Sequence, residues 1–101
     1  MADLPALMLA ALIGGALPVT AERAGELEHL VRQDCGSCHG LRLTGGLGSP
    51  ITPEALAGRS AGDLVPVILD GLPGTAMPGW RPLLTEAEAH WIAEYLLTEK
   101  P

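Results

Sequence analysis

The sequence predicts an all-α fold, three to five short helices joined by Gly- and Pro-rich loops and wrapped around a bound group. Three observations predict it. No segment alternates apolar and polar residues for long enough to make a strand. Residues 22–34 and 86–98 each repeat apolar side chains at helical spacing. The chain has 101 residues, 3% aromatics and no Phe, so its own core would be thin. Domains of this size usually add disulfides, a metal or a cofactor.

Composition narrows the function classes. Twelve acids against six bases give a net charge of −6, whereas a nucleic-acid surface needs a basic stripe. A chain that is 48% apolar and 18% charged is not disordered. Two cysteines cannot form a disulfide framework or a four-cysteine zinc site. The length allows one domain, and no internal repeat is present.

Residues 1–21 read as a leader. Leu4 to Ala21 carries no charge, and Val19-Thr20-Ala21 is a cleavage-type tripeptide, giving a signal peptide over 1–21 and a domain over 22–101. The front of the leader lacks the usual basic residues. An uncleaved anchor is the alternative, although the apolar run is at the short end for a membrane span. The expected location is the periplasm.

In the domain, Ala24, Leu27, Leu30 and Val31 give the first helix, over 22–34, its apolar face. Gly36 and Gly40 mark a turn around the cysteines, and Gly45, Gly46, Gly48 and Pro50 mark a loop. Thr52-Pro53-Glu54 reads as a helix start, the helix ending at Gly58. Ser60 and Asp63 open another helix that runs to Gly71, with Pro66 as an interruption. Residues 71–82 form a second Gly/Pro loop. Thr85 and Glu88 make a capping box for the last helix, Leu84 is its staple residue, and Trp91, Ile92, Tyr95 and Leu96 line one face.

Cys35-Gly36-Ser37-Cys38-His39 carries the chemistry. C-x-x-C-H is the attachment signature of c-type haem. Two thiols three positions apart on a helical turn can reach the two vinyl groups of one porphyrin. The next residue then stands under the iron as proximal ligand. A thioredoxin-like site would need a βαβ context. Zinc would need His29 or His90 to complete a set at unsuitable spacing.

Apart from the leader's Met1 and Met8, Met77 is the one methionine, 38 residues after His39 in a Gly/Pro loop. A methionine kept for packing belongs on an apolar helix face. Met77 is therefore the expected distal ligand. His29 and His90 are the alternative donors, although a solvated histidine is the ordinary case. Filling both axial places favours electron transfer and leaves no catalytic residue to expect. An enzyme or sensor with an open iron site is the rival reading.

With these residues in place, the sequence resembles the class I cytochromes c over nearly all of 22–101. It is similar in particular to the small NirC-type cytochromes of denitrifying bacteria. The resemblance is carried by Asp34-Cys35-Gly36-Ser37-Cys38-His39-Gly40-Leu41, Thr44-Gly45-Gly46-Leu47-Gly48, Thr52-Pro53-Glu54-Ala55-Leu56, Ile68-Leu69-Asp70-Gly71 and Pro73-Gly74-Thr75-Ala76-Met77-Pro78. It implies a class I cytochrome c fold and a periplasmic one-electron carrier with one haem c. Nitrite reductase is the implied redox partner, and the cytochrome c biogenesis machinery is needed for attachment. A role in maturing the reductase's haem cofactor is the alternative.

Three departures from the family pattern stand out. The family's Gly-Pro step, which sets a carbonyl on the proximal imidazole, reads Gly48-Ser49-Pro50 here, and Pro50 is expected to keep that role, with Ser49 as the other candidate. Where a small residue is expected on the first helix stands Leu27, with Gly25 two positions away. Pro66 interrupts a helix that should be regular. The haem is expected against Leu30, Val31, Leu56, Val67, Ile68, Trp91 and Leu96. Ser37, Leu41, Leu47, Ala76, Pro78 and Trp80 are expected to face a partner.

Overall fold

Thr20 starts the first helix as its N-cap, its hydroxyl accepting from the Arg23 N–H at 3.1 Å. The computed structural model describes residues 18–99, and all regular elements among them are helical. Helix α1 covers Ala21–Leu30, a π-helical turn comes next over Val31–Cys35, and α2 covers Gly36–His39. Helix α3 spans Ala61–Asp70 and α4 spans Glu86–Thr98. The expected leader lies outside the described residues as far as residue 17.

The first helix is longer than its sequence pattern suggests. No turn forms at Gly36, and the chain stays helical from 21 to 39. The Gly36 N–H donates to the Val31 carbonyl, five residues back, which is the π-helical bond. The extra residue in that turn rotates α2 relative to α1, a device that recurs at functional sites. Gly36 is buried, and a Cβ there would touch the Leu41 Cα at 3.5 Å. The helix stops at Gly40, whose φ of 92° few other residues adopt.

The short helix expected after Thr52 is only a series of turns. Thr52 does act as a cap, accepting from the Ala55 N–H at 3.3 Å. Gly58, at φ 87°, ends the segment before helix can propagate. Helix α3 keeps Pro66 inside it. Pro66 and Gly62, whose carbonyl loses a donor, are both exposed, so water can serve that carbonyl. The capping boxes Ser60/Asp63 and Thr85/Glu88 are both formed.

The core joins Leu64, Ile68 and Leu69 of α3 to Ala89, Ile92, Ala93, Tyr95 and Leu96 of α4, with Leu27 and Val31 beneath and Leu84 at the end. The first helix meets α4 through Leu27, which is fully buried, whereas a Cβ at Gly25 would meet nothing within 4 Å. On α4, the small residues Ala89 and Ala93 are fully buried in the same core. Arg23 fixes the crossing from outside, donating to the Glu88 carboxylate at 2.6 Å.

Candidate functional site

Behind α3 and α4 lies a cavity of about 700 Å³. That is within the range of small-molecule and cofactor sites, about 300–1,000 Å³. Cys35, His39 and Met77 all line it, although the first two end a helix and the third sits on a distant loop. Leu56, Leu64, Val67, Ile68, Ile92 and Leu96 supply apolar wall. Such a wall with an imidazole and a thioether fits a haem.

Each functional side chain is positioned by its local chain. The Gly-rich loop after His39 folds back over the end of the helix. The Gly48 N–H donates to the Cys38 carbonyl at 2.7 Å, and the Gly45 N–H to the His39 carbonyl at 2.8 Å. A Cβ on Gly46 would fall 2.7 Å from the Cys38 carbonyl oxygen, so only glycine lets the loop come this near. The loop thereby satisfies helix-end carbonyls and lies against the imidazole.

His39 Nδ1 is 2.7 Å from the Ser49 carbonyl oxygen. This corrects the expectation for Pro50. The acceptor belongs to the residue before the proline, because the proline stands one place later than in the family pattern. Pro50 instead contributes to the cavity wall. With Nδ1–H donated to Ser49, the ring's Nε2 has its lone pair free, the tautomer a metal-ligating histidine needs.

Met77 is half-buried on the loop after α3. Its N–H donates to the Thr75 hydroxyl at 3.2 Å, and the Thr75 hydroxyl donates to the Leu72 carbonyl at 2.7 Å. The Leu72 N–H donates to the Met77 carbonyl at 3.3 Å. The loop closes where the Trp80 and Arg81 N–H groups donate to the Ile68 and Leu69 carbonyls at 3.0 and 2.9 Å. Arg81 also grips the Asp70 carboxylate with two bonds, at 2.8 and 2.9 Å.

The cysteines differ. Burial pushes the Cys35 thiol up to about 11, with the neighbouring Asp34 charge adding to the effect. Cys38 is exposed and outside the cavity lining, so its side chain is not brought to the site with the others. His29 and His90 are exposed and also off the cavity, which leaves His39 as its one histidine. Three of the residues expected against the haem are elsewhere. Val31 is in the core, Leu30 packs beside it, and Trp91 stacks on Tyr95 with ring centroids 5.4 Å apart. Of the expected partner-facing residues, Leu41 and Leu47 are 73% and 95% exposed, whereas Trp80 packs against the core. The sequence pattern did not single out Arg59, which also lines the cavity.

Comparison with known proteins agrees with this geometry. Residues 22–96 match the family described as cytochrome c oxidase, cbb3-type, subunit III. Cytochrome c55X of Paracoccus denitrificans is 70% identical over 94 residues, covering 91% of each chain. The solved structure of c-type cytochrome NirC is 52% identical, with a TM-score of 0.75, covering 77% of this chain and 92% of that one. Dihydro-heme d1 dehydrogenase of Pseudomonas aeruginosa is 38% identical over 90 residues, which cover 89% of this chain but 18% of that protein. With a haem-sized apolar cavity behind its C-x-x-C-H turn, the chain belongs to the c-type cytochromes, as a class I, single-haem electron carrier with covalently attached haem c.

Proposed function

We propose that this protein is an exported carrier that exchanges single electrons with nitrite reductase, its haem held by Cys35 and Cys38 and its iron by His39 and Met77. One observation carries the ligand pair: His39 and Met77 line one cavity from separate parts of the chain. The haem, when bound, supplies a one-electron ferric–ferrous couple whose potential a thioether ligand raises. The Ser49 carbonyl orients the imidazole and strengthens it as a donor. The closed loop of Met77 limits the freedom lost on ligation. Attachment through Cys38 requires its side chain to turn inward from the exposed position. With both axial places taken, no place is left for a substrate, and this supports a carrier and not an enzyme.

The uncharged segment over residues 4–21 supports export to the periplasm. No described helix is long and apolar enough to cross a membrane. A cut after Ala21 would remove Thr20, which caps α1, and Val19, which packs against the core. A cut after Ala16, with Gly14 and Ala16 as the small pair, keeps both and is the boundary we favour. The likeness to part of dihydro-heme d1 dehydrogenase supports a second redox setting, a step in making haem d1.

The test uses the exported holoprotein. Its intact mass is expected to show one haem and a start at Leu17. Mixed in the reduced form with oxidised nitrite reductase, it is expected to transfer electrons directly. Met77→Ala should lose the near-infrared sulfur–iron band and lower the potential. An unchanged band removes Met77 as ligand. Transfer to dihydro-heme d1 dehydrogenase but not to nitrite reductase moves the protein to the second setting.

A further inference from the structure

Met77 sits on a lobe of chain with a narrow neck. The lobe covers residues 72–79, and of these only Met77 is not exposed. At the neck the two arms touch backbone to backbone. A Cβ on Gly71 would fall 2.6 Å from the Met77 carbonyl oxygen, and one on Gly79 would fall 2.6 Å from the Leu69 carbonyl oxygen. The Trp80 and Arg81 N–H groups that close the neck satisfy carbonyls at the end of α3. Among the described residues, one side-chain pair spans the neck, the Arg81 guanidinium on the Asp70 carboxylate at 2.8 and 2.9 Å.

Asp70 is the last residue of α3. The helix dipole disfavours a carboxylate there, so α3 by itself gains nothing from it. The hydrogen bonds from Arg81 hold the Asp70 carboxyl below the usual carboxylate range, so both groups are charged at neutral pH. Two parallel bonds from a planar fork fix an orientation as well as a distance. We propose that Arg81 and Asp70 are a positioning pair for the distal ligand: they latch the neck, hold the Met77 sulfur in place and keep that side of the iron closed to outside ligands. This rests on reading Met77 as the iron's ligand. Without the latch, the lobe is held by the backbone bonds of its neck and by the sulfur. An outside ligand binds only to iron that Met77 has left, so its apparent affinity is its intrinsic affinity scaled by the open fraction.

Imidazole titrated into the ferric holoprotein at neutral pH reads that fraction. Asp70→Asn and Arg81→Gln are each expected to raise the imidazole affinity about two- to five-fold, the range for an exposed but two-pronged pair. The double variant is expected to go no further than the larger single effect, because either change removes the whole latch. All three variants should keep covalent haem and, before imidazole is added, the sulfur–iron band. Glu28→Gln is the control: it breaks the similarly exposed pair of Glu28 with Arg32 on the other side of the fold's sequence, away from the lobe, and is expected to leave the imidazole affinity unchanged. Wild-type affinity in both single variants overturns the proposal. So do effects that add in the double variant, or an equal rise in Glu28→Gln, which would mark a general loosening. A wild-type holoprotein that lacks the sulfur–iron band overturns instead the reading of Met77 as ligand.

Discussion

His39 is held by a contact that depends on its neighbours having no side chain in the way. A Cβ built on Gly48 would sit 2.8 Å from His39 Nδ1 and 2.9 Å from Cε1, closer than real Cβ atoms come. Gly48→Ala must therefore move the imidazole or the loop, and the loop is tied down by the Gly48 N–H bond to the Cys38 carbonyl. The cost of such overpacking is about 1–3 kcal/mol. The expected outcome is a lower melting temperature together with changed electron paramagnetic resonance g-values for the oxidised iron. A spectrum identical to the wild type would show that the loop yields and the ring does not. Residue types were the most legible part of this site. Cys35 and His39 could be named because the C-x-x-C-H spacing is specific, and Met77 because it is the one methionine after the expected leader and sits in a Gly/Pro loop. The acceptor on His39 was harder, since a backbone carbonyl leaves no residue signature, and a one-place shift of proline moved it to Ser49. Arg59 left no signal, because one arginine in a polar stretch looks like any solvated charge.

Helix ends were legible where a side chain does the capping. Thr85 and Glu88 stand in the sequence as they stand in the fold, and α4 begins and ends where its pattern says. The π-helical turn at Val31–Cys35 was not legible, because it arises from a shift in backbone bonding that no side-chain spacing encodes. Glu88 has a second duty that its capping pattern hides. It accepts the Thr85 N–H at 2.9 Å and the Arg23 guanidinium at 2.6 Å, tying the start of α4 to the start of α1. Arg23, first, and the Thr85 backbone hold the Glu88 carboxyl below the usual carboxylate range. A group whose folded-state pKa is depressed stabilises the fold above its unfolded pKa and loses that contribution as pH falls through the folded one. Loss is thus expected as the solution is acidified from about pH 5 downward. Glu88→Gln should cost about 1 kcal/mol at neutral pH, and less in acid, where the wild-type carboxyl is itself protonated. Melts at pH 7 and pH 3 check this, and an equal difference between variant and wild type at both would remove the ion pair from the account.

At the scale of the whole molecule the question is what the fold is without its haem. The described core is a strip of mostly aliphatic side chains between α1, α3 and α4, and Leu56, Leu64, Ile68, Ile92 and Leu96 belong both to it and to the cavity wall. Those side chains are covered from one side by protein, and a porphyrin in the cavity would cover them from the other. Every 100 Å² of apolar wall the disc covers contributes about 2.5 kcal/mol. The stability of a small domain is only about 5–15 kcal/mol in total. Removing the disc therefore takes away a share comparable to the whole margin, and the two glycine-rich loops, which bring few core residues, cannot replace it. Replacing both thiols, Cys35→Ala with Cys38→Ala, is expected to abolish covalent attachment in a host competent for cytochrome assembly. The resulting apoprotein should show reduced helical circular dichroism and a broad melt in place of a cooperative one. Adding free haem should recover part of the helix signal, since His39 and Met77 remain, but with a midpoint that depends on haem concentration, as expected when a ligand binds only the folded state. A colourless double variant that melts as sharply as the holoprotein would show that the aliphatic strip is sufficient by itself, and the cavity would then be a preformed pocket and not a fold completed by its cofactor.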